Sequence, residues 1–168
     1  MFFFSGRDLF ITPALASSDA GPPSQPMQNE RGLVLASRKA LDDAGVKPDQ
    51  VDLVGTFACG LTDRDRIEAV AIQSVLGERA REVPALNVKG GLGNNGAGSG
   101  AIDIIATVLA LHNTTIPPAI NSEPIDPDCD IQLVTGQPVD AKIDVALSMA
   151  YALGGGQNAA LVMRRYRE

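Results

Sequence analysis

The side chains of this chain that could do chemistry are few and scattered. Lys89 closes a stretch of strand character at 85–89. A lysine ending a buried strand needs a carboxylate beside it or it loses its proton. Asn94 and Asn95 stand in the glycine-rich loop that follows, KGGLGNNGAGSG. Their amides could donate to a carbonyl oxygen, and both residue types also tolerate a left-handed turn. Cys59 follows another strand, 51–58, as a nucleophile could. A reactive thiol wants a base, a cation or a helix N-terminus to lower its pKa. Only Arg64 and Arg66 are near in sequence, so Cys59 reads as a structural thiol. The sole histidine, His112, sits where a helix ends and serves the last carbonyls. The run GGGQN at 154–158 offers backbone amides, with Gly155 and Gly156 as binding positions and Tyr151 just before them.

The elements that must position these residues follow from periodicity and punctuation. Residues 2–12 read as a strand and 16–27 as a flexible loop. Asn29 can cap a helix over 30–44, which Gly45 ends with Pro48 just beyond. Thr62 is an N-cap candidate for a helix running to about 79, with Ile67, Val70, Ala71, Ser74 and Val75 inward. Strands at 144–151 and 158–165 pair as neighbours. The helix over 97–112 is apolar almost all round, interrupted from Ala101 to Leu111 only by Asp103 and Thr107. Such a helix must be covered on all sides. It is too short for the roughly 20 residues of a membrane span. Strands separated by helices imply right-handed crossovers and a mostly parallel sheet. The expected fold is α/β: a mixed, mostly parallel five-stranded sheet with helices on both faces. The helix at 97–112 lies on one face and those at 30–44 and 64–79 on the other. A length of 168 residues fits one domain with a real core.

Charge and composition exclude more than they specify. A formal net charge of −6, with no basic stripe, argues against a nucleic-acid binder. Cys59 and Cys129 lack metal-ligand spacing and read as cytosolic thiols. No metal, cofactor or membrane is implied, and the expected compartment is the cytoplasm. The opening MFFFSGRDLF lacks a basic region and a long apolar core, so it does not read as a signal peptide.

One ordered set of motifs is specific. Lys89, the glycine loop, the apolar helix, IPPAIN (116–121), DPDCD (126–130) and the DVALSMAYALGGGQNAALV ending follow one another at characteristic spacing. The set closely resembles the C-terminal half of β-ketoacyl-acyl-carrier-protein synthases, of the thiolase superfamily, over about residues 28–166. That resemblance implies a thiolase-like half-fold. It places Lys89 at the family's lysine and Glu68 at an acidic position, making Glu68 the natural partner of that lysine. It places Phe57 and Asn94 where the family carries its two histidines. Phe57 cannot donate and reads as a core or tunnel-lining aromatic. The matched stretch starts near the family's midpoint, so the nucleophile-bearing half is expected to lie outside these residues. GGGQN replaces the family's gating loop, and Tyr151 stands for its first phenylalanine.

The resemblance implies Lys89 and Asn94 as catalytic-position residues, and Asn95, Tyr151, Gly155 and Gly156 as contacts to substrate. Three functions follow from it. The chain is a non-condensing subunit like a chain-length factor, acting with a ketosynthase-type partner on acyl-carrier-protein thioesters of fatty-acid or polyketide biosynthesis. Alternatively it is half of a split synthase or acyltransferase. Alternatively it is a homodimeric binding module whose two copies meet through the apolar helix.

Overall fold

The computed structural model describes residues 9–11, 15–18, 29–153 and 157–166. One sheet organises them. Strands β1 (Leu9–Ile11) and β2 (Leu15–Ser18) both pair antiparallel with the last strand and form one edge position in two segments. Helix α1 (Arg31–Asp43) leads to β3 (Leu53–Gly55), α2 (Thr62–Leu76) and β4 (Pro84–Leu86). A short helical turn α3 (Lys89–Leu92) precedes the long helix α4 (Ser99–Asn113). Small strands β5 (Thr115–Ile116), β6 (Gln132–Leu133) and β7 (Val139–Asp140) punctuate the proline-rich connection. Strands β8 (Val145–Tyr151) and β9 (Gln157–Arg165) close the fold.

The order across the sheet is β1/β2-β9-β8-β3-β4-β6. Pairing is parallel through β8-β3-β4-β6 and antiparallel around β9. The five expected strands each have a counterpart, the one expected at 2–12 only over 9–11 because its other residues lie outside those described, and the two-residue β6 adds an edge. The expected loop starts later than position 16, because residues 15–18 pair with β9. Residues 19–27 lie outside the described residues.

Two cores flank the sheet, because successive strand residues face opposite sides. On one face, Leu33, Ala36 and Leu41 of α1 and Ile72 and Val75 of α2 pack on Val54, Leu147, Met149 and Val162. On the other, Val108 and Leu111 of α4 pack on Leu53, Leu86, Ile143, Ala146 and Met163. Each fully buried leucine contributes roughly 1.5–3 kcal/mol. The three helices are therefore distributed as expected. On helix α2, Ala71 and Val75 are buried as expected and Ile67 is half-buried, but Val70 is 40% exposed and Ser74 is exposed, while Glu68, Ala69 and Ile72 also point inward. The buried Glu68 anchors a loop, as described below.

Local signals explain the ends. Asn29 Oδ1 accepts the Arg31 N–H at 3.0 Å, one residue outside the first helical turn. Gly45 takes φ +61°, which ends α1 without steric cost. Thr62 is not the cap, since α2 begins at that residue. The DPDCD turn is pinned onto α2 and the turn that follows it: Arg66 of α2 meets Asp126 at 2.9 Å and Asp128 at 3.1 Å, and Arg81 beyond the helix meets Asp130 at 2.5 Å.

Candidate functional site

The site grows from what β3 and β4 do at their ends. After Gly55, the Thr56 N–H and Oγ1 both donate to the Leu86 carbonyl at 3.0 Å, tying the two strands together. The next four backbone N–H groups then leave the sheet. Phe57 and Ala58 donate to the two oxygens of Glu68, each at 2.7 Å. Cys59 and Gly60 donate to Asp65 at 3.1 and 3.0 Å. Two carboxylates three residues apart on α2 share one helix side and satisfy four orphan donors in sequence. Burial pushes Glu68 up to about 7, against the two N–H bonds that favour its charged form. Burial also raises Asp65 above the usual carboxylate range.

Asn87 locks this loop to the next one. Its Nδ2 donates to the Ala58 carbonyl at 2.8 Å, and its Oδ1 accepts the Lys89 N–H at 2.8 Å. This residue was not singled out in the sequence. Its only signal was an amide placed directly between a buried strand and the glycine loop.

Lys89 does not end a strand and does not pair with Glu68, which corrects both expectations. It opens α3, and its ammonium forms a buried ion pair with Asp103 of α4. The two side chains are 4% and 3% exposed. Glu68 is already engaged by the backbone, so the lysine takes the one carboxylate the apolar helix carries inward. Burial raises the Asp103 carboxyl, and the Lys89 ammonium pulls it back.

Phe57 lies against both Lys89 and Tyr151. Its ring centroid lies 4.2 Å from the Lys89 ammonium, a cation–π contact, and 4.6 Å from that of Tyr151. The Tyr151 hydroxyl in turn meets Cys59 Sγ at 4.0 Å. Burial and the surrounding carboxylates raise the Tyr151 phenol, so it stays protonated. A cavity of about 330 Å³ holds Lys89, Glu68, Asp65, Asn87, Cys59 and Cys129. A wider, open cavity of about 910 Å³ holds Phe57, Asn94, Gly100, Tyr151, Leu153 and Asn158. Burial first, and then Asp65, raise the Cys59 thiol, which agrees with a structural role. Burial raises Cys129 as well.

Asn94 lines the larger cavity, with its Oδ1 committed to the Gly96 N–H at 3.0 Å and the Ser99 hydroxyl at 2.9 Å. Its Nδ2 is the donor end. Asn95 turns its amide back to the Leu92 and Gly93 carbonyls at 3.3 and 3.2 Å, and it does not line the cavity. Gly155 and Gly156 lie outside the described residues. His112 is exposed at the far end of α4. Among the described residues, no cluster of three or more His, Cys, Asp or Glu side chains is placed to hold a metal. The larger cavity is walled by apolar groups, amides and one phenol, with no histidine, thiol, amine or carboxylate among its described lining. That lining can hold a carbonyl and an acyl chain. It offers no base or nucleophile.

A mixed sheet with a helix layer on each face, and loops at the strand ends framing an open cleft, defines a thiolase-like half-fold. The β-ketoacyl synthase C-terminal domain model matches residues 11–123, and the chain belongs to that family. A 3-oxoacyl-[acyl-carrier-protein] synthase 2 from Synechocystis sp. is 35% identical over 149 residues, 89% of this chain and 36% of that protein. The tetracenomycin polyketide synthase ketoacyl synthase beta subunit of Streptomyces glaucescens is 37% identical over 80% of this chain and 32% of its own length. Among solved structures, the ishigamide ketosynthase/chain length factor superposes with a TM-score of 0.83 and 32% identity, covering 92% of this chain and 37% of that one. A type II polyketide acyl-carrier protein in complex with its ketosynthase also matches, with a TM-score of 0.83 and 26% identity over 90% of this chain and 37% of that one. The chain thus spans about a third of the length of these relatives.

Proposed function

We propose that this chain is a ketosynthase-related, non-condensing subunit of fatty-acid or polyketide biosynthesis, binding acyl-carrier-protein thioesters together with a ketosynthase-type partner in the cytoplasm. One observation carries the reading. The larger cavity has walls and donors suited to a thioester, while Lys89 and Glu68 line the smaller cavity and not this one. The relatives named as ketosynthase subunits, chain length factors and a carrier-protein complex support the substrate and partner classes. Among the described residues, no helix is long and apolar enough to cross a membrane. In this reading the Asn94 Nδ2 orients the thioester carbonyl, and Tyr151 and Leu153 line the acyl path. Lys89 holds the loop that carries Asn94 and does no chemistry.

The intact charge frame favours a second reading, the C-terminal half of a split synthase. A condensing half would need the developing enolate stabilised by an uncharged amide at position 94, and a missing donor of this kind costs on the order of 10²–10³ in rate. The purified chain is expected to bind an acyl-carrier-protein thioester and to produce neither carbon dioxide nor a 3-oxoacyl product from acyl and malonyl thioesters. Asn94→Ala should weaken that binding without altering the fold. Turnover by the purified polypeptide with no other protein present overturns the proposal. Turnover that appears only when a second polypeptide is added selects the split-enzyme reading.

A further inference from the structure

Ser99 opens α4, is 1% exposed, and does not cap that helix, whose N-terminus has no side-chain cap bond. Its hydroxyl reaches back into the glycine loop instead. The Asn95 N–H donates to Ser99 Oγ at 2.8 Å, and Ser99 Oγ donates its one proton to Asn94 Oδ1 at 2.9 Å. The Gly96 N–H donates to the same Oδ1 at 3.0 Å. These bonds fix which way the Asn94 amide points. A backbone N–H can only donate, so the Asn94 atom that faces Gly96 is the oxygen. The two donors that converge on it use both of its lone pairs. Turning the amide over would set its NH2 against the Gly96 N–H. The next carboxamide is held the opposite way: the Leu92 and Gly93 carbonyls accept from Asn95 Nδ2 and keep its nitrogen inward.

We infer that Ser99 is a positioning residue of the larger cavity: it holds the Asn94 amide with its oxygen turned into the loop, so that Nδ2 is the group that meets a carbonyl oxygen of the ligand. The inference rests on the reading above, in which Asn94 meets the thioester carbonyl, and it names what sets that contact. Ser99 is not among the residues that line the cavity, so it acts through Asn94. Asn94 itself is exposed at the open cavity. An exposed carboxamide with no partner samples several side-chain conformers, and ordering it on binding costs affinity. Here the order exists before the ligand arrives, because one oxygen is tied to groups two and five residues further along the chain. The held amide also selects. With its oxygen committed, Asn94 offers only donors. A ligand carbonyl oxygen is matched by them, and a ligand N–H finds no acceptor on this side chain.

The test compares two ligands by titration calorimetry on the full chain: an acyl carrier protein loaded with a hexanoyl thioester, and the same protein carrying the matching thioether, in which a methylene replaces the carbonyl. Ser99→Ala removes only the hydroxyl. It should weaken the thioester about 3- to 10-fold, the worth of one neutral hydrogen bond, and leave the thioether unchanged. In an Asn94→Ala background the same substitution should change neither affinity, since no amide is left to hold. Asn94→Asp, made on an exposed side chain, keeps one oxygen for Ser99 and Gly96 and puts an acceptor where Nδ2 was. It should bind the thioester more weakly than Asn94→Ala does. Nitrogen-15 relaxation of the Asn94 side-chain NH2 reads the positioning with no ligand present, as an ordered signal in the parent chain that becomes mobile in Ser99→Ala. Equal weakening of both ligands overturns the inference. So does a Ser99→Ala loss that persists without Asn94, an Asn94→Asp chain that binds the thioester like the parent, or an Asn94 amide equally ordered with and without the hydroxyl. If the parent chain binds neither ligand while its Asn94 amide loses order in Ser99→Ala, the proposed function fails and the positioning role stands.

Discussion

Glu68 shows how one side chain can hold a loop and set a pH dependence together. Its carboxyl is wholly buried and its pKa is pushed up from 4.5 to about 7. The folded protein therefore keeps a proton that the unfolded chain has released between those values. The contribution of this one group to stability is fully present below pH 4.5, falls as pH rises toward 7, and levels off above it. The total loss is about 3 kcal/mol from this group. Glu68→Gln should flatten that slope, as read from urea denaturation at pH 5 and pH 8. An unchanged slope in the variant would show that the carboxyl does not titrate in this window. The Lys89–Asp103 pair follows a different rule: removing one partner strands a buried charge, and the survivor then costs several kcal/mol.

At the scale of elements, close approach decides the packing. A Cβ added at Gly55 would collide with Thr107 Oγ1 of α4 and lie 3.3 Å from Ser148 Oγ. Strand and helix therefore touch through the only residue that lets them. Gly55→Ala should destabilise the fold by about 1–3 kcal/mol. Thr107→Ala in the same chain should recover most of that, since it removes the atom in the way. A double variant no more stable than Gly55→Ala alone would place the strain elsewhere. The glycine loop obeys the same logic at Gly90. A Cβ there would run into the Ile120 carbonyl, and Asn121 Nδ2 donates to the Gly90 carbonyl at 2.8 Å. The first glycine after Lys89 serves packing of the IPPAIN turn, which spacing alone could not distinguish from contact with a ligand.

For the whole molecule, the outward side of α4, where Ala101 and Ile105 are exposed, makes a prediction independent of any partner. The isolated chain should enhance the fluorescence of an anilinonaphthalene dye at neutral pH while fully folded, because it exposes a contiguous apolar face. Ile105→Asp should lower that signal, and a charge placed at Leu35 should lower it less. Equal effects at both positions would mean that the dye reads scattered surface and not this face.

The sequence by itself determined the order of helices and strands, the family, and the fact that one helix is apolar on almost every side. These are local properties: periodicity, turn chemistry and the run from Ala101 to Leu111 are written in neighbouring residues. It also put Phe57 and Asn94, two side chains that do not titrate, in the segments on which the family resemblance rests. Only the tertiary structure decided who pairs with whom. Lys89 chose Asp103 because Glu68 was already taken by the Phe57 and Ala58 N–H groups, a competition among residues 10 to 14 positions apart that no local pattern encodes. It likewise turned Asn95 away from the cavity, and it set Ser99, Asp103 and Thr107 toward the sheet and Ile105 toward solvent. The rotation of a helix about its axis is fixed by what it packs against, and a helix apolar on every side leaves that choice to its neighbours.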